Sequence, residues 1–128
     1  MPYSRCLDND GILITTISGS VTLKELIELQ NDLPNYFQND EIYELVIHQL
    51  DTVMIQDRKE SEISADNVKR VMQKYKRGAI AFVAGGDFIF GILRQLQIRS
   101  ENEFIQMAVF RTEETALKWL LEVRLSNK

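Results

Sequence analysis

The chain reads as an α/β domain with strands and helices in the order β-β-α-β-α-β-α-β-α. Three observations predict this. Two near-continuous apolar runs, Tyr43–Leu50 and Ala79–Ala84, have the pattern of strands covered on both faces. Segments with helical spacing of apolar residues separate the strand-like runs. Strands alternating with helices imply a largely parallel sheet with right-handed crossovers. A turn signal near the start adds one antiparallel strand at its edge.

Each element has a local reason. Tyr3–Leu7 reads as a short strand, and "DNDG", Asp8–Gly11, as the turn joining it to a second strand at Ile12–Ser18. After Gly19, Thr22 and Glu25 have the spacing of a capping box. Leu23, Leu26, Ile27 and Leu33 form the stripe of the helix that follows, and Pro34 should end it near Asp32. Asp51–Ile63 has no clean period and reads as a long loop with at most one helical turn. Ser64 reads as the cap of a helix to about Lys76, with Val68, Val71, Met72 and Tyr75 on one face and Gly78 as its stop. Gly85-Gly86 reads as a tight strand exit, and Asp87 as the cap of a helix carrying Phe88, Ile89, Ile92, Leu93 and Leu96 inward. Phe104–Phe110 is the last strand. Thr112 caps a closing helix whose apolar face holds Ala116, Leu117, Leu120 and Leu121, with Trp119 beside them.

Composition bounds the function. The 128 residues fit one domain, 1–128, with 45% apolar and 27% charged residues. A net charge of −4 argues against broad nucleic-acid binding, which needs a basic surface. One cysteine, Cys6, allows no intrachain disulfide and fits a cytoplasmic setting. One histidine and one cysteine exclude a zinc site of the Cys/His type within one chain. No apolar run approaches the roughly 18 residues of a membrane span, and the N-terminus lacks the apolar core of a signal peptide.

No catalytic constellation stands out, and no cofactor motif is visible. Gly85-Gly86-Asp87-Phe88 is one residue short of the signature of bacterial cyclases that make a cyclic dinucleotide, but turn and cap chemistry explains all four residues. No Gly-Lys-Ser/Thr accompanies it, so a phosphate loop is absent. His48, in an apolar strand, reads as a hydrogen-bonded core residue. Asp57, Glu60 and Glu62 read as solvated loop carboxylates. Lys69, Arg70 and Lys74, with Lys76 and Arg77, make one helix basic, either as a solvated face or as a docking patch for an acidic partner or membrane headgroups. Phe90 falls off the stripe of its helix and, with Ile98, reads as an exposed apolar patch of the kind that partners cover.

The text from Gln106 to Glu122, "QMAVFRTEETALKWLLE", resembles the closing segment of the SpoIIAA-like proteins, a branch of the STAS superfamily. Phe110, Thr112, Glu113, Glu114, Ala116, Trp119 and Leu120 carry the likeness, and "ISGSVTLKEL", Ile17–Leu26, resembles the opening of those chains. The resemblance implies a mixed sheet of about five strands with helices mainly on one face. It also implies a non-enzymatic interaction module that binds a protein partner or a second copy of itself. Antagonists of anti-sigma factors in the superfamily are phosphorylated on a Ser in an Asp-Ser-Ser-Gly-like turn. Here that region, "LDTVMIQDRKESEIS", lacks the Asp-Ser pair and the Gly, and Ser61 and Ser64 are the nearest serines. Some relatives look like lipid carriers of the CRAL-TRIO kind, which implies a small apolar ligand as the alternative. An apolar cavity beneath the helix of Phe88 to Leu96 would favour the carrier; a packed core with a flat exposed patch would favour the interaction module.

Overall fold

A computed structural model describes residues 3–55, 57–100 and 103–127. The chain forms a mixed five-stranded sheet in the order β1-β2-β4-β6-β7. These strands are β1 (Tyr3–Leu7), β2 (Leu13–Ile17), β4 (Glu41–His48), β6 (Arg77–Ala84) and β7 (Ile105–Phe110), and β1 alone runs antiparallel to its neighbour. A second, two-stranded parallel ladder pairs β3 (Ser20–Thr22) with β5 (Val53–Ile55). The helices are α1 (Leu23–Asn31), α2 (Arg58–Met72), α3 (Asp87–Ser100) and α4 (Glu113–Ser126), with a 3-10 turn at Leu33–Asn35.

The topology follows from strand order. From β2 through β4 and β6 to β7, each parallel strand is added on the same side of the last. Three right-handed crossovers in one direction place their helices on one face. Leu26 and Leu29 of α1, Val68 and Val71 of α2 and Leu93 of α3 accordingly share one core with Leu13, Val46 and Ile80 of the sheet. The opposite face is covered by α4, whose Ala116, Leu120 and Val123 pack on Tyr43, Leu45, Ala79, Ala81 and Val83. β6 is buried on both faces from Gly78 to Ala84, which explains its unbroken apolar text.

The hairpin and the caps expected at Thr22 and Thr112 hold. The Asp8 carboxylate accepts from the amides of Asp10 and Ile12 at 2.9 Å each, and Gly11 takes the left-handed φ of 79° that the turn requires. The Thr22 hydroxyl accepts from the Glu25 amide, and the Glu25 carboxylate accepts from the Thr22 amide. The Thr112 hydroxyl accepts from the Thr115 amide at the start of α4.

Several boundaries differ from the sequence reading. The long loop expected at Asp51–Ile63 is instead a short strand and two turns of helix; Gln56 within it lies outside the described residues. The helix starts at Arg58 because Asp57 and Glu60 form a second capping box, so Ser64 is a buried mid-helix residue and not a cap. Gly78 does not stop that helix, which ends at Met72. It lies inside β6 at φ 151°, where a Cβ would collide with the Ile42 carbonyl oxygen, so close strand approach demands glycine. Asp87 is the first residue of α3 and not its cap: the Gly86 carbonyl accepts from the Phe90 amide. The Asp87 carboxylate instead pairs with Arg111 Nη1 at 2.7 Å.

The α3 and α4 stripes are also rotated from expectation. Phe88 is 75% exposed, while Phe90 is half-buried against the core beneath the Arg111 guanidinium, 3.9 Å from its ring. Helical drift explains the difference: Ile89 and Leu93, four apart, define the inward line, and Phe88 falls to its solvent side. Leu117 is likewise exposed and Val123 buried, because α4 centres on Ala116 and Leu120. Trp119 is half-buried and packs on Phe110, ring centroids 5.5 Å apart.

Candidate functional site: a cavity beneath three helices

The core under α1, α2 and α3 is not filled. It contains a cavity of about 110 Å³ between those helices and the sheet. Its floor is Ile17, Val46, Ile80 and Phe82, on three adjacent parallel strands. Leu26 and Leu29 wall it from α1, Ala65, Val68 and Met72 from α2, and Ile92, Leu93 and Leu96 from α3. The lining is therefore mostly aliphatic. Sealed apolar cavities of about this size, roughly 150 Å³, stay dry and take up benzene or xenon.

Polar groups stand at three places on the wall. The first is Glu44, on the inward side of β4. It accepts from the Thr15 hydroxyl at 2.7 Å and from Arg5 Nη2 at 3.1 Å, and Arg5 Nε donates to Thr15 Oγ1 at 3.0 Å. The Arg5 side chain is itself buried, with Asp32 3.6 Å from Nη1 and the rings of Tyr3 and Tyr36 flanking it. Burial pushes the Glu44 carboxyl above its ordinary value, and the Arg5 charge only partly opposes this. Arg5 Nη1 is buried without a hydrogen-bond partner among the described residues, but the Glu44 carboxylate itself is engaged by Thr15 and Arg5, so it ties strands β1, β2 and β4 together rather than offering a free acid.

The second is His48, two residues along the same face of β4 from Val46. Its Nδ1 lies 3.3 Å from the Val83 carbonyl, the only one of the two that can accept, so Nδ1 carries the proton. Burial lowers its pKa to about 4, and the imidazole is neutral at neutral pH. It tilts against Phe82, centroids 6.4 Å apart.

The third is the seam between α1 and α2. Gln30 Nε2 donates to the buried Ser64 hydroxyl at 3.0 Å, and Asn67 Nδ2 donates to Gln30 Oε1 at 2.8 Å. Arg70 Nη2 extends the network to Asn31 Oδ1 and Asn67 Oδ1. The two helices are thus tied by polar side chains on the outside and separated by the cavity within. At the other seam, Ser100 Oγ donates to the Ala65 carbonyl and Arg99 pairs with Glu62 at 3.5 Å, joining α3 to α2. Ser61, Gln95 and Arg99 lie where the cavity reaches the surface between these helices.

The structure distributes the sequence-derived candidates differently. Ser61 and Ser64 both line the cavity, Ser64 buried and Ser61 half-buried. Lys69, Arg70 and Lys74 are exposed on or just after α2, and Arg70 is engaged by Asn31 and Asn67. Ile98 is 71% exposed, whereas Phe90 is half-covered; the most exposed aromatic of α3 is Phe88. Asp57 and Glu60 cap α2, and Glu62 joins Arg58 and Arg99. Among the described residues no cluster of His, Cys, Asp and Glu could hold a metal ion, and no helix is long and apolar enough to cross a membrane.

Sequence reasoning did not find the cavity. The available signal was the set of polar residues at inward positions of apolar stripes: Gln30 beside Leu26 and Leu29, Glu44 and His48 flanking Val46, and Ser64 one turn before Val68. Compared with known protein families, curated proteins and solved structures, the chain matches none of them.

Proposed function

We propose that this chain is a non-enzymatic binding protein whose ligand is a small, mostly apolar molecule held beneath α1, α2 and α3. The observation that carries this reading is the cavity, at the place where an apolar void distinguishes a carrier or sensor from a packed interaction module. Its lining of Leu, Ile, Val, Met and Phe offers dispersion contacts and desolvation, with neutral polar groups to fix orientation. A catalytic role lacks support: Glu44 is occupied by Arg5 and Thr15, and His48 is neutral with its Nδ1 turned to the Val83 carbonyl. Affiliation with the SpoIIAA-like branch of the STAS superfamily is part of the same proposal. Its support is the closing segment Gln106–Glu122 together with three helices on one face of a mixed sheet.

A second reading, an interaction module that binds a protein partner or a second copy, rests on a different observation. Leu50, Val53 and Phe88 are 86%, 52% and 75% exposed, in segments that follow the carboxyl ends of β4 and β6. Where such exposed groups form one contiguous patch, soluble proteins usually use it to contact a partner. Native mass spectrometry of the protein purified without detergent separates the two readings. An added small mass on the monomer, released by organic solvent, supports the carrier. A ligand-free dimer that dissociates on Phe88→Ser supports the interaction module instead.

A further inference from the structure

The polar groups around the cavity are not evenly distributed, and their charges define which end of a ligand faces out. Two charged side chains line it. Glu44 lies deep on the sheet with its side chain 3% exposed, and Arg99 stands at the α2–α3 surface with 38% exposed. The walls between are aliphatic or neutral. An elongated molecule with one charged end therefore meets a carboxylate in the interior and a guanidinium at the opening. A negative end on the floor would be buried against the Glu44–Arg5 pair, whereas at the rim it is attracted to Arg99 and keeps its hydration, so it escapes the cost of burying a charge.

Arg99 is free to change partners. In the structure its Nη1 lies 3.5 Å from Glu62 Oε1, a loose contact between half-exposed groups that contributes little. The same carboxylate oxygen is 3.7 Å from Arg58 Nε, so Glu62 keeps a counter-charge when Arg99 turns away. A ligand carboxylate can take the planar guanidinium in two parallel hydrogen bonds, the geometry for which arginine is suited. Gln95 and Ser61 stand beside it on the same rim.

Resting on the carrier reading, we infer that the cavity takes a small amphiphile with an anionic head: an apolar chain or ring of about six carbons inside, by comparison with cavities of similar size, and a carboxylate at Arg99.

Three probes of equal chain length test this at neutral pH: hexanoate, 1-hexanol and hexylamine, each titrated into the intact protein by calorimetry. Hexanoate should bind roughly fivefold tighter than 1-hexanol, the scale of a half-exposed charged pair, and hexylamine weakest. In Arg99→Gln the advantage of hexanoate over 1-hexanol should vanish. In Glu62→Gln, which releases Arg99, that advantage should grow. If 1-hexanol binds and hexanoate binds no tighter, the cavity reading stands and the anionic head is refuted. A preference for hexylamine would assign the rim to Glu62 and overturn the inference. An advantage of hexanoate that survives in Arg99→Gln would do the same. If none of the three binds, the cavity reading itself fails, and this inference with it.

Discussion

The two faces of the sheet use the same strands and solve packing differently. On the α4 face, one helix covers the sheet by close approach. Ala79, Ala81 and Ala116 are fully buried there, and such small residues let helix and strand backbones come together. On the other face three helices span a wider floor. Their seams are tied by Gln30–Ser64, Arg99–Glu62 and Ser100–Ala65, yet their inward side chains leave a cavity. The buried His48 and Glu44 also point to that face. The face that specifies the fold tightly and the face that keeps space are therefore separable, and the second is where the proposed ligand would sit.

Substitutions on the two faces sharpen the contrast. The largest effect belongs to the tight face. Leu120→Ala should lower stability by about 4 kcal/mol, because a fully buried leucine leaves a void that a single covering helix cannot collapse to fill. Urea unfolding measures it, and a loss below about 1 kcal/mol would show that α4 is loosely docked.

The next effect is pH-dependent and belongs to the cavity face. His48 has its pKa lowered from 6.5 to about 4 by burial. As pH falls, the unfolded chain takes up this proton first, so the contribution is complete above 6.5 and is lost between 6.5 and about 4. That gap amounts to about 3 kcal/mol. Glu44 acts with the opposite sign: its raised pKa favours the folded state at low pH, and that contribution is lost as pH rises through its folded value. Comparing wild type with His48→Gln across this range removes the Glu44 contribution, which both share. The difference between the two unfolding free energies should shrink steadily as pH falls, and a constant difference would mean that His48 is solvated.

The smallest effect is the most direct comparison. Ala81→Val adds bulk to the tight face and should cost about 2 kcal/mol through overpacking. Val46→Ile adds a methylene toward the cavity and should change stability by less than about 1 kcal/mol. Equal costs at the two sites would erase the distinction between the faces.

Most of the fold was legible because its signals are local. The capping box at Thr22, the "DNDG" turn and the doubly buried runs of β4 and β6 need no knowledge of what lies across the molecule. The same signal existed at Asp57 and Glu60 but sits in a stretch of weak apolar periodicity, so the start of α2 was missed by two turns. Phe88 and Phe90 exchanged places because each is one residue, about 100° around the helix, from the inward Ile89, and which one turns inward is decided by β7 and Arg111, distant in sequence. The cavity was the least legible feature. It is an absence of side-chain volume among residues from β2, β4, β6 and three helices, and no local pattern encodes that sum.

The central claim is that ligand space lies on one face alone of this sheet. Methyl-resolved NMR during a titration with 1-hexanol tests it most directly, since Leu and Val methyls report from both sides. Saturable shifts should appear at Leu26, Leu29, Val46, Val68 and Leu93, around the cavity, and not at Leu45, Val83, Leu120 and Val123 beneath α4. Shifts of equal size on both faces, or none that saturate, would contradict the account.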